Sequence, residues 1–262
     1  MVYLYKMKLQ MQVYLTYRFE VFAALIARFI LILANLFLWS SVYTGQDTIQ
    51  GVSRDQMITY SILSVCLSIM CQCGVQGSLN GDVRGGNIAI LLMRPYHLLA
   101  GYFAEDIGTI VVKICTSVVP ILVLSGIFLP LQGPASWGVL PLVFFSYLFG
   151  FLILWLLSVL VSMFTFVTME LGNMGVVKDT IVAILSGSMI PLWFFPEGVE
   201  KALMLTPFPY TYQTPLGLYI GKISPTEGAW QILIQICWVV LLGAVVSFVW
   251  KKVQNKVLIQ GG

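Results

Sequence analysis

Six stretches of this sequence, about 19–43, 55–79, 100–129, 137–168, 180–195 and 229–250, reach or approach the length needed to cross a bilayer. A helix needs ~20 apolar residues to span ~30 Å of hydrocarbon. Nothing else restricts the fold so sharply. Inside lipid every backbone N–H and C=O must find its partner within the chain, so repeated apolar runs mean helices, and the expected class is all-α. The fifth stretch is the shortest and contains Pro191, so it is expected to be broken or partly re-entrant. Of the 262 residues, 59% are hydrophobic and 10% charged, against ~25% charged in soluble domains. The chain therefore reads as one polytopic membrane domain, 1–262, with short loops and no room for a soluble catalytic domain.

Lysine and arginine set the orientation. With both termini cytoplasmic, nine basic residues fall inside (Lys6, Lys8, Arg18, Arg84, Arg94, Lys178, Lys251, Lys252, Lys256) and three outside (Arg54, Lys201, Lys222). The net charge of +3 is small, which argues against a nucleic-acid partner. Residues 1–18 are too polar to span. Leu4, Met7, Met11, Tyr14 and Leu15 share one helical face, with Lys6, Gln10 and Tyr17 on the other and Lys8 as an imperfection. That pattern suits an interfacial helix lying on membrane lipids. The segment lacks the apolar core and cleavage site of a signal peptide, so the first span is expected to stay in the protein.

Two segments break the apolar rhythm. Gly81–Pro95 is polar and glycine-punctuated; Gly81, Gly85 and Gly86 permit tight or left-handed turns. A short helix over about Asn87–Met93 should stop before Pro95, which disfavours α geometry at Arg94. Such a helix, carrying Arg84 and Arg94, either touches something outside the bilayer or is a solvated turn. Pro196–Gly228 is external yet apolar, with Pro207, Pro209 and Pro215, and is expected to form short helices dipping back into the outer leaflet. Ser53 and Gln56 match a capping box opening the second span.

Ser61, Ser64, Ser68, Gln72 and Gln76 fall within one ~120° arc of the second span. This stripe is either hydrogen-bonding glue between helices or a partner or pathway surface. Ser158, Ser162 and Thr165 make a smaller one on the fourth span. Arg28 and Lys113 lie inside spans, where a charge costs ~2.5–3.5 kcal/mol on insertion scales. Glu105 and Asp106 are their candidate counter-ions, Asp106 sharing a helical face with Lys113. The five cysteines, Cys66, Cys71, Cys73, Cys115 and Cys237, read as small buried side chains; Cys71 and Cys73 point to different sides of a helix, which is poor metal geometry. No metal site is expected. His97, the one histidine, sits beside Pro95 with no acid or serine set around it. Gly217–Lys222 is one residue short of a phosphate loop and lacks the following Ser or Thr. The chain is not expected to be an enzyme or to bind nucleotide.

The Leu91-Leu92-Met93-Arg94-Pro95 element after the second span, Ser188-Met-Ile-Pro-Leu-Trp-Phe-Phe-Pro196 after the fifth and Leu205-Thr-Pro-Phe-Pro-Tyr-Thr-Tyr212 before the sixth together resemble the type-2 ABC-transporter permeases. The likeness, taken with six spans and the leading interfacial helix, covers nearly the whole chain. It implies a permease subunit of an exporter in the bacterial cytoplasmic membrane, moving a drug, peptide, lipid or glycan. Two ATPase subunits would bind ATP and Mg on its cytoplasmic side, and a second permease, identical or related, would complete a multi-subunit complex. The loop 81–99, through Gly81, Asp82, Arg84, Ile88, Leu91, Leu92, Arg94 and Pro95, would be the coupling element seated in the ATPase. The first, second and fifth spans would line the path, and 196–228 would form the external gate. A secondary transporter or channel without an ATPase is the alternative, disfavoured by scarce midplane acids and the lack of inverted halves. A lipid-modifying membrane enzyme is disfavoured by the missing catalytic set.

Overall fold

A computed structural model describes residues 2–16, 18–168 and 170–260, apart from the side chains of Arg18 and residues 255–260. The expectations placed on Tyr17 and on the side chains of Arg18 and Lys256 lie outside the described residues. Helix α1 (Val2–Thr16) is followed by α2 (Arg18–Val42). A two-residue antiparallel ladder, β1 (Thr48–Ile49) with β2 (Val52–Ser53), then turns the chain through Gln50 and Gly51, both at positive φ. Ser53 caps α3 (Arg54–Met70): its hydroxyl accepts the Gln56 N–H at 3.3 Å, and the Gln56 amide oxygen accepts the Ser53 N–H at 2.8 Å. This is the reciprocal box that the sequence signals.

The second span runs past its expected end at 79. Residues 71–74 are irregular, and helix resumes as α4 (Val75–Arg84), so the stretch from Arg54 to Arg84 holds 31 residues. At 1.5 Å per residue that is ~45 Å, well beyond the hydrocarbon core. Gly81 consequently lies inside a helix and Gly85 caps it in right-handed geometry; of the three glycines only Gly86 takes positive φ. The short helix α5 (Ile88–Leu92) ends, as expected, ahead of Arg94–Pro95.

The third span is α6 (Leu98–Lys113), one wide π turn (Ile114–Val118) and α7 (Val119–Phe128). Pro120 offers no N–H and its ring crowds the carbonyl four residues back, at Thr116; the widened turn absorbs that clash. A 3-10 turn (Trp137–Val139) leads into α8 (Leu140–Ser162) and α9 (Thr165–Thr168).

The fifth span is broken, as its proline leads one to expect, and its helix is shorter than the 180–195 stretch suggests at its far end. Helix α10 (Met174–Leu185) has 12 residues, ~18 Å of rise, and from Ser186 the chain is irregular up to a 3-10 turn at Leu192–Phe194. Gly187 at φ 79° and Pro191 stop the helix. Among the described residues five helical stretches, not six, are long and apolar enough to cross a bilayer. Two short helices, α11 (Glu197–Leu203) and α12 (Pro209–Tyr219), precede α13 (Pro225–Gln260), which continues ten residues past Trp250.

The core lies around α8, with α12 and α13 packed on it. α12 is buried along almost its whole length. It approaches α8 so closely that a Cβ on Gly150 would stand 2.9 Å from the Thr211 carbonyl oxygen. α1 docks on α6 in the same manner, the Met7 backbone lying against Gly108. Lys6, expected on the polar face, turns into this contact, while Leu4 and Leu15 stay exposed. Only 6% of the α2 window is buried, against 61% for the second and fourth spans, so α2 has little protein around it. Cys66 and Cys71 are buried, but Cys115 and Cys237 are exposed, contrary to the expectation of five interior thiols.

Candidate functional site

The break at 71–74 is the polar centre of the molecule. Ending α3 in mid-span frees carbonyls at its C-terminus, and starting α4 frees N–H groups with a partial positive charge. α6 supplies a charge of the opposite sign to each end. The buried carboxylate of Asp106 accepts the Gly74 N–H at 2.7 Å through Oδ1 and the Trp155 indole N–H at 3.0 Å through Oδ2. Lys113 Nζ donates to the Gln72 carbonyl at 3.4 Å and to Gln72 Oε1 at 3.3 Å. Asp106 and Lys113 do share a face, but they do not pair with each other: they hold the two sides of the break. Glu105 is not a counter-ion for Arg28 or Lys113 either; it pairs with Lys6 at 2.6 Å. Burial pushes the Lys6 ammonium down, but the Glu105 carboxylate and the Tyr96 ring beside it more than offset this, and its pKa lies above the usual lysine value.

Beside the break is a cavity of about 230 Å³ between α2, α3, α10 and α12, lined in part by Arg28, Ser68, Gln72, Lys178, Asp179 and Tyr212. Arg28 donates to Ser68 Oγ at 3.2 Å and has no carboxylate partner among the described residues. Lys178 is neutralised by Asp179 at 2.7 Å and donates to Ser158 Oγ at 2.8 Å.

The polar stripe on the second span divides. Ser61 bonds back to its own helix at Met57, and Ser64 donates to the Ser188 carbonyl at 2.7 Å. Ser68 and Gln72 face the cavity, and Gln76 lies against Gly175 of α10. The irregular chain after α10 is held from two sides. Tyr60 donates to the Gly187 carbonyl at 2.8 Å, Gln213 N–H donates to the Ser186 carbonyl at 3.2 Å, and Gln213 Oε1 accepts the Leu192 N–H at 2.8 Å.

The loop 81–99 is tied to the helices above it. Asp82 accepts from the Tyr102 hydroxyl at 2.6 Å, and Arg84 pairs with Glu170 at 3.2 Å. The apolar anchors expected to face outward turn inward instead. Ile88 is 6% exposed and buried in the chain's own core, with Leu91 and Leu92 packed against it. The outward residues are Ile90 and Met93, 58% and 79% exposed, flanked by Arg84, Arg94 and Pro95. A five-residue helix lying on the bundle presents its second apolar set, which an isolated helical wheel does not distinguish.

Trp155, Tyr60, Gln213 and the Lys178–Asp179 pair escaped the sequence reading. Gly74 and Gln72 inside an apolar run longer than one span were the available signal for the break. Nothing local announces Gln213, whose partners are far away in the chain.

A family model described as "ABC-2 family transporter protein" matches residues 29–261. No curated protein and no solved structure matches the chain.

Proposed function

The chain belongs to the ABC-2 transporter family, which makes it a transmembrane component of an ABC transporter, and we propose that it is the permease subunit of an ATP-driven exporter of the bacterial cytoplasmic membrane. Association with ABC ATPase subunits follows from the family. The rest is our reading: two ATPase subunits carrying ATP and Mg, a second permease identical or related, both termini cytoplasmic, and a hydrophobic or amphiphilic cargo moved outward. The buried helix α12, with the irregular chain it supports at 186–192, suits an external re-entrant gate.

The exposed surface of α5 carries this reading. Ile90 and Met93 are three residues apart on one face with Arg84 and Arg94 at the edges, the arrangement of a short helix seated in a partner's groove. Behind that face, the contacts of Asp82 with Tyr102 and of Arg84 with Glu170 connect the loop to α6 and to the segment before α10. A push on the loop therefore reaches two spans. Arginines at the rim orient a partner more than they add affinity. Truncating a buried interface anchor typically costs ~2 kcal/mol or more, a ~30-fold loss.

The test is co-purification. Met93→Asp and Arg94→Glu alter exposed side chains, so the permease should insert and melt as wild type while ATPase recovery and cargo-stimulated hydrolysis fall sharply. Leu91→Asp, by contrast, should damage the fold. Normal assembly and transport in Met93→Asp and Arg94→Glu would remove α5 from the coupling role. A transport-competent particle without any ATPase would favour the secondary-transporter reading.

A further inference from the structure

The uncompensated guanidinium in the cavity beside the break remains unused. Arg28 lies ten residues into the span that starts at Phe19, ~14 Å along the helix, where a charge is costly and is retained only where something meets it. Its recorded partner is one neutral hydroxyl, Ser68. A guanidinium has five donors in a rigid fork matched to carboxylate and phosphate oxygens, and among the described residues only Ser68 accepts from it. The other lining cation, Lys178, is cancelled by Asp179. Two cations and one carboxylate leave the cavity with one net positive charge. Gln72, Ser68 and Ser188 add neutral polar groups, while Leu154, Val182 and Ala183 form an apolar wall. Met189 and Ile190, next to Ser188 in the chain, are exposed.

We infer that this cavity binds the anionic headgroup, a phosphate or carboxylate, of a membrane amphiphile, with Arg28 as the recognising cation and the apolar tail left outside along Met189 and Ile190. At about 230 Å³ the space falls below the ~300–1,000 Å³ of sites that enclose a whole ligand and fits a headgroup. The inference rests on the permease reading for its meaning, since a headgroup site opening on α2, α3 and α10 makes an anionic amphiphile the cargo class.

The experiment measures the melting temperature of the full chain, purified without ATPase, against three probes: dihexanoyl phosphatidic acid, dihexanoyl phosphatidylcholine and inorganic phosphate. A ligand that binds the folded state raises the transition with its concentration. The expected result is a saturable rise with phosphatidic acid, a response at least tenfold weaker with phosphatidylcholine, and none with phosphate. Arg28→Gln should weaken the phosphatidic-acid response at least tenfold; Arg54→Gln, on the exposed outer rim, should leave it unchanged. Arg28→Lys keeps the charge without the fork and should weaken the response severalfold, which reports on the site even if Arg28→Gln does not fold. Equal responses to the two lipids, or an unaltered response in both Arg28 variants, would overturn the inference. A phosphate response matching that of phosphatidic acid would overturn the amphiphile assignment in favour of a free oxyanion. Because no ATPase is present, loss of binding removes this site without touching the permease reading. Failure of the α5 variants to disturb ATPase recovery would remove that reading without touching the site.

Discussion

Replacing Asp106 by alanine should destabilise the protein more than any other single loss of charge in it. The carboxylate is 5% exposed and accepts two hydrogen bonds, from Gly74 at 2.7 Å and Trp155 at 3.0 Å. Hydrogen bonds to a charged group contribute ~1.5–3 kcal/mol each, and their removal leaves the buried Trp155 N–H unsatisfied and the Gly74 N–H to find water. Loss of negative charge at the N-terminus of α4 adds ~0.3–1 kcal/mol. Relaxation at the break and entry of water reduce the sum, so a net ~3 kcal/mol is expected. For a chain near this size each kcal/mol shifts the midpoint by ~2–4 °C, giving a drop of ~6–12 °C. Thermal unfolding of the purified chain, followed by tryptophan fluorescence, measures it. Asp106→Asn keeps an acceptor oxygen and should fall between wild type and alanine. Glu105→Ala is the control: it touches only Lys6, a half-buried pair of the kind that contributes ~1 kcal/mol or less. If Asp106→Ala melts within ~2 °C of wild type, or no lower than Glu105→Ala, then the break is held by something else and the assignment of Asp106 to α4 fails.

Three further outcomes are open to measurement. Gly150→Leu drives a side chain into the Thr211 backbone and should cost at least the ~1–3 kcal/mol of overpacking, seen as a lowered melting point and lower membrane yield than Gly150→Ala. The raised pKa of Lys6 means its contribution to docking α1 is complete below the unfolded lysine value and is lost as pH rises through the higher folded one. Proteolytic release of α1 should therefore increase as pH rises beyond the ordinary lysine range, whereas the susceptibility of Lys6→Met should not change with pH there. Cysteine labels at Gly45 and Ser224 should react from outside, and labels at Asn87 and Asn173 from inside. Opposite faces for Asn173 and Ser224 would show that α10 and its irregular continuation cross as a unit; a shared face would refute it.

The helices with complete apolar runs were legible because hydrophobicity summed over some twenty residues swamps local detail. The capping box at Ser53–Gln56 and the stop before Pro95 were legible for the opposite reason: each is settled within four residues. What the chain does between those scales was not. The break at 71–74 depends on Asp106 and Lys113, thirty and more residues away, and the same two residues read in isolation look like an ion pair. In the fifth span Pro191 signalled a break but not its starting point, since hydropathy does not register Gly187 adopting positive φ with Tyr60, Ser64 and Gln213 bonding the backbone around it. At α5 the periodicity is correct but the inside and outside faces exchange, because a five-residue helix offers two nearly equal apolar faces and the bundle selects one.

The burial of α12 has a consequence for how the protein is made. Its 11 residues give ~16 Å of helix, too little to cross a membrane unaided, and two of its polar groups are met by the following helix. Thr214 donates to Gln231 at 2.7 Å, and Gln235 of α13 donates to the Tyr210 carbonyl at 2.5 Å. Those partners leave the ribosome after α12 does. The segment is therefore expected to complete its packing beside α8 only once α13 has been made. A chain truncated before Pro225 would lack the Gln231 and Gln235 contacts to α12 and should be less protected against protease there than the full chain.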